Sequence, residues 1–195
     1  MKLLRAISLC LLACGLSLTG NAQPLDSLSL LATDSSEIRL ADYQDSLGIA
    51  VIFTSNHCVY SKKYEDRLLE MIPEYQARGI AFVLINANSP VLSSDDRLEL
   101  MAERAAEKQY PCPYVKDRAA QLAKALGATK NPEAFVGKWT DEGLQIVYSG
   151  KIDDNPLMAN RAEKFFLRDA LESLLSESGV PVTQVPPVGC AIKVE

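Results

Sequence analysis

The chain has 195 residues, 48% of them hydrophobic, and a formal net charge of −5 at pH 7. That length suits one domain with a full core, and an acidic chain without a basic run is a poor candidate for binding nucleic acid or an anionic membrane.

Met1 to Leu18 carries Lys2, Arg5, an apolar run and no acidic residue, which is the pattern of a secretory signal peptide. Gly20 and Ala22 have the small-residue spacing of a cleavage site, so residues 1–22 are expected to be removed and the mature chain to begin at Gln23. A competing lipoprotein reading would anchor Cys14 after Leu11-Leu12-Ala13. It is the weaker of the two, because Leu12 is bulky for that signal and the apolar run continues past the cysteine. Loss of Lys2 and Arg5 takes the formal charge from −5 to −7. No later apolar stretch reaches the roughly 18 residues of a membrane span. The expected protein is therefore exported, periplasmic or secreted, with no membrane span.

Leu28 to Leu31 and Ile38 to Leu40 flank the polar turn Asp34-Ser35-Ser36 and predict an N-terminal β-hairpin. Ile49 to Phe53 is short and continuously apolar, a buried strand. Tyr60 to Ala77 has helical spacing, with Tyr64, Leu68, Met71 and Ile72 on one face and Gly79 as a stop. Ile80 to Ile85 is a second buried strand, and Ser93 to Asp96 reads as the start of a helix reaching about Gln109. A short strand over Pro111 to Lys116 precedes a helix over Arg118 to Leu126, closed by Gly127. Glu133 to Lys138 and Leu144 to Tyr148 form a hairpin, a last helix covers roughly Ala162 to Leu175, and residues 179–195 are a Pro/Val-rich tail. This order predicts an α/β domain over 23–178, with a mixed central sheet and helices on both faces.

In such sheets chemistry gathers where parallel strands end and helices begin. The stretch FTSNHCVYSKKYEDRL puts Cys58 at that place, after the first core strand. A helix N-terminus favours a thiolate, Lys62 and Lys63 add positive charge, and His57, the one histidine, is a candidate proton acceptor. The mature chain holds three cysteines, Cys58, Cys112 and Cys190, so at least one stays free or pairs outside the molecule. Cys112, between Pro111 and Pro113, reads as a small buried apolar residue. No metal site is expected, since one histidine and scattered cysteines lack zinc spacing. Asp153-Asp154-Asn155 is better explained by turn and cap formation than by calcium. Trp139 and Tyr148 read as hairpin packing.

With these elements in place, the segments NHCVYSKKYEDRL, INANSP, LGATKNPEAF, YSGKIDDNP and GCAIK resemble, in order, the thioredoxin-like superfamily and within it the AhpC/TSA, peroxiredoxin-like branch. The resemblance implies a thioredoxin-like fold in which Pro132 is cis and, with Asn131, faces the cysteine loop as a contact for a thiol substrate. It also exposes departures. Ser55 stands where relatives often carry a cysteine, and Asn131 where they carry threonine. Ser55 and Cys58 then match the peroxiredoxin spacing of a hydroxyl residue and a reactive cysteine, although the proline of that motif is missing. Cys58 and Ser55 are the candidate catalytic pair, Cys190 a candidate resolving thiol, and His57, Lys62 and Lys130 candidate modulators of the thiol. The resemblance implies no cofactor, and as partners an external thiol reductant or thiol/disulfide protein, with peroxide as a further substrate. An alternative is a redox-inactive module that binds an extended peptide on the Pro132 face.

Overall fold

A computed structural model describes residues 25–195, so the expected signal peptide and its cleavage site lie outside the described residues. The N-terminal hairpin consists of β1 (Leu30–Ala32) and β2 (Glu37–Ile38). There follow β3 (Gly48–Phe53), α1 (Val59–Gln76), β4 (Ile80–Asn86), α2 (Leu98–Glu107), β5 (Tyr114–Lys116) and α3 (Gln121–Leu126). The second half holds β6 (Lys130–Asn131), β7 (Glu133–Thr140), β8 (Gly143–Gly150), α4 (Phe166–Leu175), β9 (Gln184–Val185) and β10 (Cys190–Ala191).

Among the described residues, eight strands form one mixed sheet in the order β2-β1-β5-β4-β3-β7-β8-β9. The strands β3, β4 and β5 are parallel, and β7 runs antiparallel to β3. Every residue of β3 is buried because the sheet is covered on both faces, which is why its sequence is a continuous apolar run. Ala50 and Ile52 pack with Tyr64, Leu68 and Ile72 of α1, Met101 of α2 and Leu167 and Leu171 of α4. Ile49, Val51 and Phe53 pack on the opposite face with Leu30, Leu40, Leu122 and Ala123. Each such buried aliphatic or Phe side chain contributes about 1.5–3 kcal/mol before entropy is counted. The thioredoxin-like α/β architecture expected from the sequence is thus the one observed.

Several local expectations need correction. The strand expected over Pro111 to Lys116 is only Tyr114–Lys116, and the helix expected from Arg118 begins only at Gln121, because Ala119 and Ala120 adopt positive φ. The turn at Ser94–Asp96 is a single 3-10 turn, and α2 begins only after Arg97, whose backbone is extended. Asp96 is buried and accepts side-chain hydrogen bonds, so that turn is fixed from its inward side. Helix α4 starts at Phe166 rather than near Ala162, since Glu163 N–H donates to Asp154 Oδ1 and Lys164 O accepts from Asp154 N–H. Finally, the Pro/Val-rich tail folds onto the domain: β9 pairs with β8 and β10 pairs with β6.

Candidate functional site

Past the end of β3, Thr54 to His57 lead into Cys58, which caps the N-terminus of α1. The Cys58 carbonyl accepts the N–H of Lys62 at 3.1 Å, closing the first helical turn. Its sulfur, only 1% exposed, therefore sits at the positive end of an 18-residue helix, where negative charge is favoured. The same sulfur lies 2.9 Å from the carbonyl oxygen of Asn131. In the reduced protein that oxygen is placed to accept the thiol proton.

Cys58 is joined to Cys190 by a disulfide with a Cα–Cα distance of 5.8 Å, across 132 residues of sequence. The segment carrying Cys190 is held as a strap. Cys190 and Ala191 pair antiparallel with Asn131 and Lys130. Ile192 N–H donates to Thr129 O at 3.0 Å, Ser89 N–H donates to Lys193 O at 2.7 Å, and Ser89 Oγ bonds to the carboxylate of Glu195. Gly189 is required by close approach, since a Cβ there would lie 2.2 Å from the Asn131 carbonyl oxygen.

The peptide bond between Asn131 and Pro132 is cis, as the family resemblance implied. Glu133, buried just after it, accepts the backbone N–H groups of Thr129 (2.7 Å) and Lys130 (3.0 Å) and so fixes the loop that presents β6. Asn131 is fully buried and donates through Nδ2 to Asn88 Oδ1 at 3.2 Å.

Beneath the cysteine loop lies a buried polar cluster that the sequence reading did not single out. The Asp96 carboxylate accepts hydrogen bonds from Ser55 Oγ, Ser93 Oγ, Asn86 Nδ2, Asn88 Nδ2 and the backbone N–H of Asn56. Burial alone would raise its pKa, but the Asn88, Ser93, Asn86 and Ser55 donors outweigh it and hold the carboxyl below its ordinary value. Lys116 Nζ, at the end of β5, donates to Asn86 Oδ1, Asn88 O and Asp96 O. Desolvation pulls its pKa down to about 8, against the opposing pull of Asp96 and Asp117.

Ser55 belongs to this cluster. Its hydroxyl donates to Asp96 and accepts from Asn88 Nδ2 (3.0 Å) and from the His57 backbone N–H (3.1 Å). The imidazole of His57 faces Asp95, with Nδ1 3.1 Å from Oδ2. Lys62 is exposed on α1, and Lys130 is half-buried in β6 without an ion pair among the described residues. Of the expected site residues, the structure brings together Cys58, Cys190 and Asn131 and places Ser55 one hydrogen bond from Asn88.

Cys112 is buried, and burial pushes its thiol up to about 12. The acidic loop is locally satisfied: Asp153 accepts from Tyr64 Oη at 2.7 Å and from Arg67, while Asp154 and Asn155 accept backbone N–H groups. Among the described residues, no group of three or more His, Cys, Asp or Glu side chains is arranged to hold a metal. A cavity of about 640 Å³ adjoins the cluster, lined by Asn88, Lys116, Arg97, Arg118 and the strap residues Val194 and Glu195, but neither cysteine of the disulfide lines it.

The AhpC/TSA family matches residues 21–148. This chain belongs to that family. A hypothetical protein from Sinorhizobium meliloti is 30% identical, with a TM-score of 0.78 over 86% of this chain and 91% of that one. An uncharacterized conserved protein from Geobacillus kaustophilus is 31% identical, with a TM-score of 0.77 over 86% and 88%. The bacterioferritin comigratory protein of Xanthomonas campestris, described for its alkyl peroxide reduction activity, is 13% identical with a TM-score of 0.53 over 78% and 90%, a likeness of fold alone. No curated protein matches. The AhpC/TSA chain thus has a thioredoxin-like α/β fold, shared with peroxiredoxins. The family match ends before the strap, so it says nothing of Cys190.

Proposed function

We propose that this chain is an exported thiol oxidoreductase that cycles between a Cys58/Cys190 dithiol and the Cys58–Cys190 disulfide by thiol–disulfide exchange. The disulfide itself carries the reading. In the forward half-reaction the Cys58 thiolate attacks one sulfur of a partner disulfide. A mixed disulfide forms and the partner's other sulfur leaves as a thiolate. The Cys190 thiolate then attacks Cys58 Sγ, forming the internal disulfide and releasing the second partner thiolate. The partner gains two electrons, the protein loses two, and an external thiol reductant returns it to the dithiol. Export rests on the sequence pattern of residues 1–22, in keeping with an oxidising compartment.

Membership of the AhpC/TSA family supports a second reading, peroxide reduction. There the Cys58 thiolate takes the terminal peroxide oxygen, an alcohol or water leaves, and Cys190 converts the sulfenic acid to the same disulfide with loss of water. Exchange is preferred because the Ser55 hydroxyl, which would have to hold the peroxide, is taken up by Asp96, Asn88 and His57. The peptide-binding alternative is not favoured, since it leaves the joined cysteines without a role.

The test uses a Cys112→Ser/Cys190→Ser variant, reduced and exposed separately to oxidised glutathione and to hydrogen peroxide with dimedone. A glutathione adduct at Cys58 is expected, and a dimedone adduct at comparable speed would move the assignment to peroxide. Absence of both adducts in the folded variant would sink the redox reading.

A further inference from the structure

Three separate chain segments must meet for Cys58 and Cys190 to join: the cysteine loop, the loop before Pro132, and the C-terminal strap. One side chain touches all three. Asn88, 3% exposed, donates through Nδ2 to Ser55 Oγ of the cysteine loop at 3.0 Å and to Asp96 at 2.8 Å. Its Oδ1 accepts Asn131 Nδ2 at 3.2 Å and the backbone N–H of Lys193, on the strap, at 2.9 Å. Its own backbone is held in turn, because its N–H donates to Asn86 Oδ1 and its carbonyl accepts from Lys116 Nζ.

We propose that Asn88 is a positioning residue that sets how readily Cys58 and Cys190 pair. Its amide orientation is fixed by chemistry: Asp96 accepts only, so the NH₂ faces it and the carbonyl oxygen faces the Asn131 amide and the strap. With that oxygen in place, the strap is docked three residues beyond Cys190, and the thiol is delivered to Cys58 with little freedom left to lose. Disulfide formation then behaves as a reaction between pre-oriented groups. This rests on the exchange reading above, and it assigns Asn88 a share of the protein's redox poise without contact with either sulfur being required.

The experiment is the equilibrium of the mature protein, Cys112→Ser throughout, with mixtures of reduced and oxidised glutathione, scored by quenching and mass. The protein dithiol and one oxidised glutathione give the protein disulfide and two reduced glutathiones. Asn88→Ala removes the hub. Lys193→Pro removes the strap N–H that Asn88 accepts, together with the exposed Lys193 Nζ contact to Leu92 O, and leaves the buried cluster whole; with Lys193→Ala as the control for the side chain, it decides the matter should Asn88→Ala fail to fold. Asn88→Ala and Lys193→Pro are each expected to lower the equilibrium constant for the internal disulfide by about tenfold, the upper end of what one neutral hydrogen bond confers. Alkylation of Cys190 in the reduced protein should quicken in both, whereas loss of general stability alone would leave the Lys193→Pro poise unmoved. A wild-type protein that forms the internal disulfide, with a folded Asn88→Ala or a Lys193→Pro variant of unchanged poise, overturns the role of Asn88 and spares the exchange reading. A wild-type protein that forms no internal disulfide overturns the exchange reading itself.

Discussion

The carbonyl oxygen of Asn131 lies 2.9 Å from the sulfur of Cys58, and across the β6–β10 pairing Asn131 is the register partner of Cys190. One residue thereby faces both halves of the disulfide. The close packing extends to Gly189, where an added methyl would fall 2.2 Å from that oxygen and 2.7 Å from the carbonyl carbon. Both are backbone atoms held in place by the Glu133 clamp, so they cannot yield cheaply. Gly189→Ala is expected to lift the strap and slow formation of the internal disulfide by tenfold or more, on the order of the loss of orientation involved. Thiol counting during oxidation by glutathione checks this, and thermal stability of the reduced protein should fall as well, since the lifted strap gives up its hydrogen bonds to Thr129, Asn88 and Ser89.

Asp96 receives five hydrogen-bond donors in a buried cluster. Asp96→Ala leaves Ser55, Asn86, Asn88, Ser93 and the Asn56 N–H to find other acceptors and removes one of the two carboxylate charges, with Asp117, that offset the burial of Lys116. Destabilisation of about 3–5 kcal/mol is expected, as for removal of one partner from a buried charged network. Urea unfolding of the oxidised proteins measures it.

Lys116 gives a pH dependence of definite sign. Its folded pKa is lowered to about 8 from 10.5, so between those values the unfolded chain binds more protons than the folded one. Stability rises with pH where the unfolded state binds more protons. Below pH 8 the cost of burying the charged amine is present in full; it is progressively relieved as pH climbs toward 10. The gain expected over that window is on the order of 2 kcal/mol. Lys116→Met should flatten this rise in unfolding curves of a Cys58→Ser/Cys190→Ser protein, which removes thiol exchange from the measurement.

Cys112 should be inert in the native protein. Burial holds its thiol near 12, and the thiolate is the reactive form. Iodoacetamide at pH 8 is expected to spare Cys112 until denaturant is added, and Cys112→Ser should leave the redox behaviour of the other two cysteines unaltered.

Much of the fold was legible because period and punctuation agree. Continuous apolar runs at Ile49 to Phe53 and Ile80 to Ile85 became the central parallel strands β3 and β4. Gly127, at a φ of 71°, ends α3 where the sequence placed its stop. The position of Cys58 at a helix mouth followed from the same pattern. The cluster around Asp96 was not legible, because its members come from the ends of β4 and β5 and from a turn that also reads well as a helix cap. A signal was present: Ser55, Asn86 and Lys116 each stand at or just past the carboxyl end of an apolar parallel strand, where polar residues point to a site. What no single sequence shows is that these ends share one carboxylate. The return of the tail to the active-site face was legible from Cys190, but its pairing as strands β9 and β10 was not, since Pro186-Pro187 and short strands of two residues carry no periodicity.

The most direct test of this account is disulfide mapping of the full protein, expressed with export into an oxidising compartment, alkylated while folded and then digested without reduction. The expected result is a linked pair of peptides containing Cys58 and Cys190, with Cys112 recovered as a thiol that only denaturant exposes. Free Cys58 and Cys190 in the folded protein, or either one joined to Cys112, would contradict it.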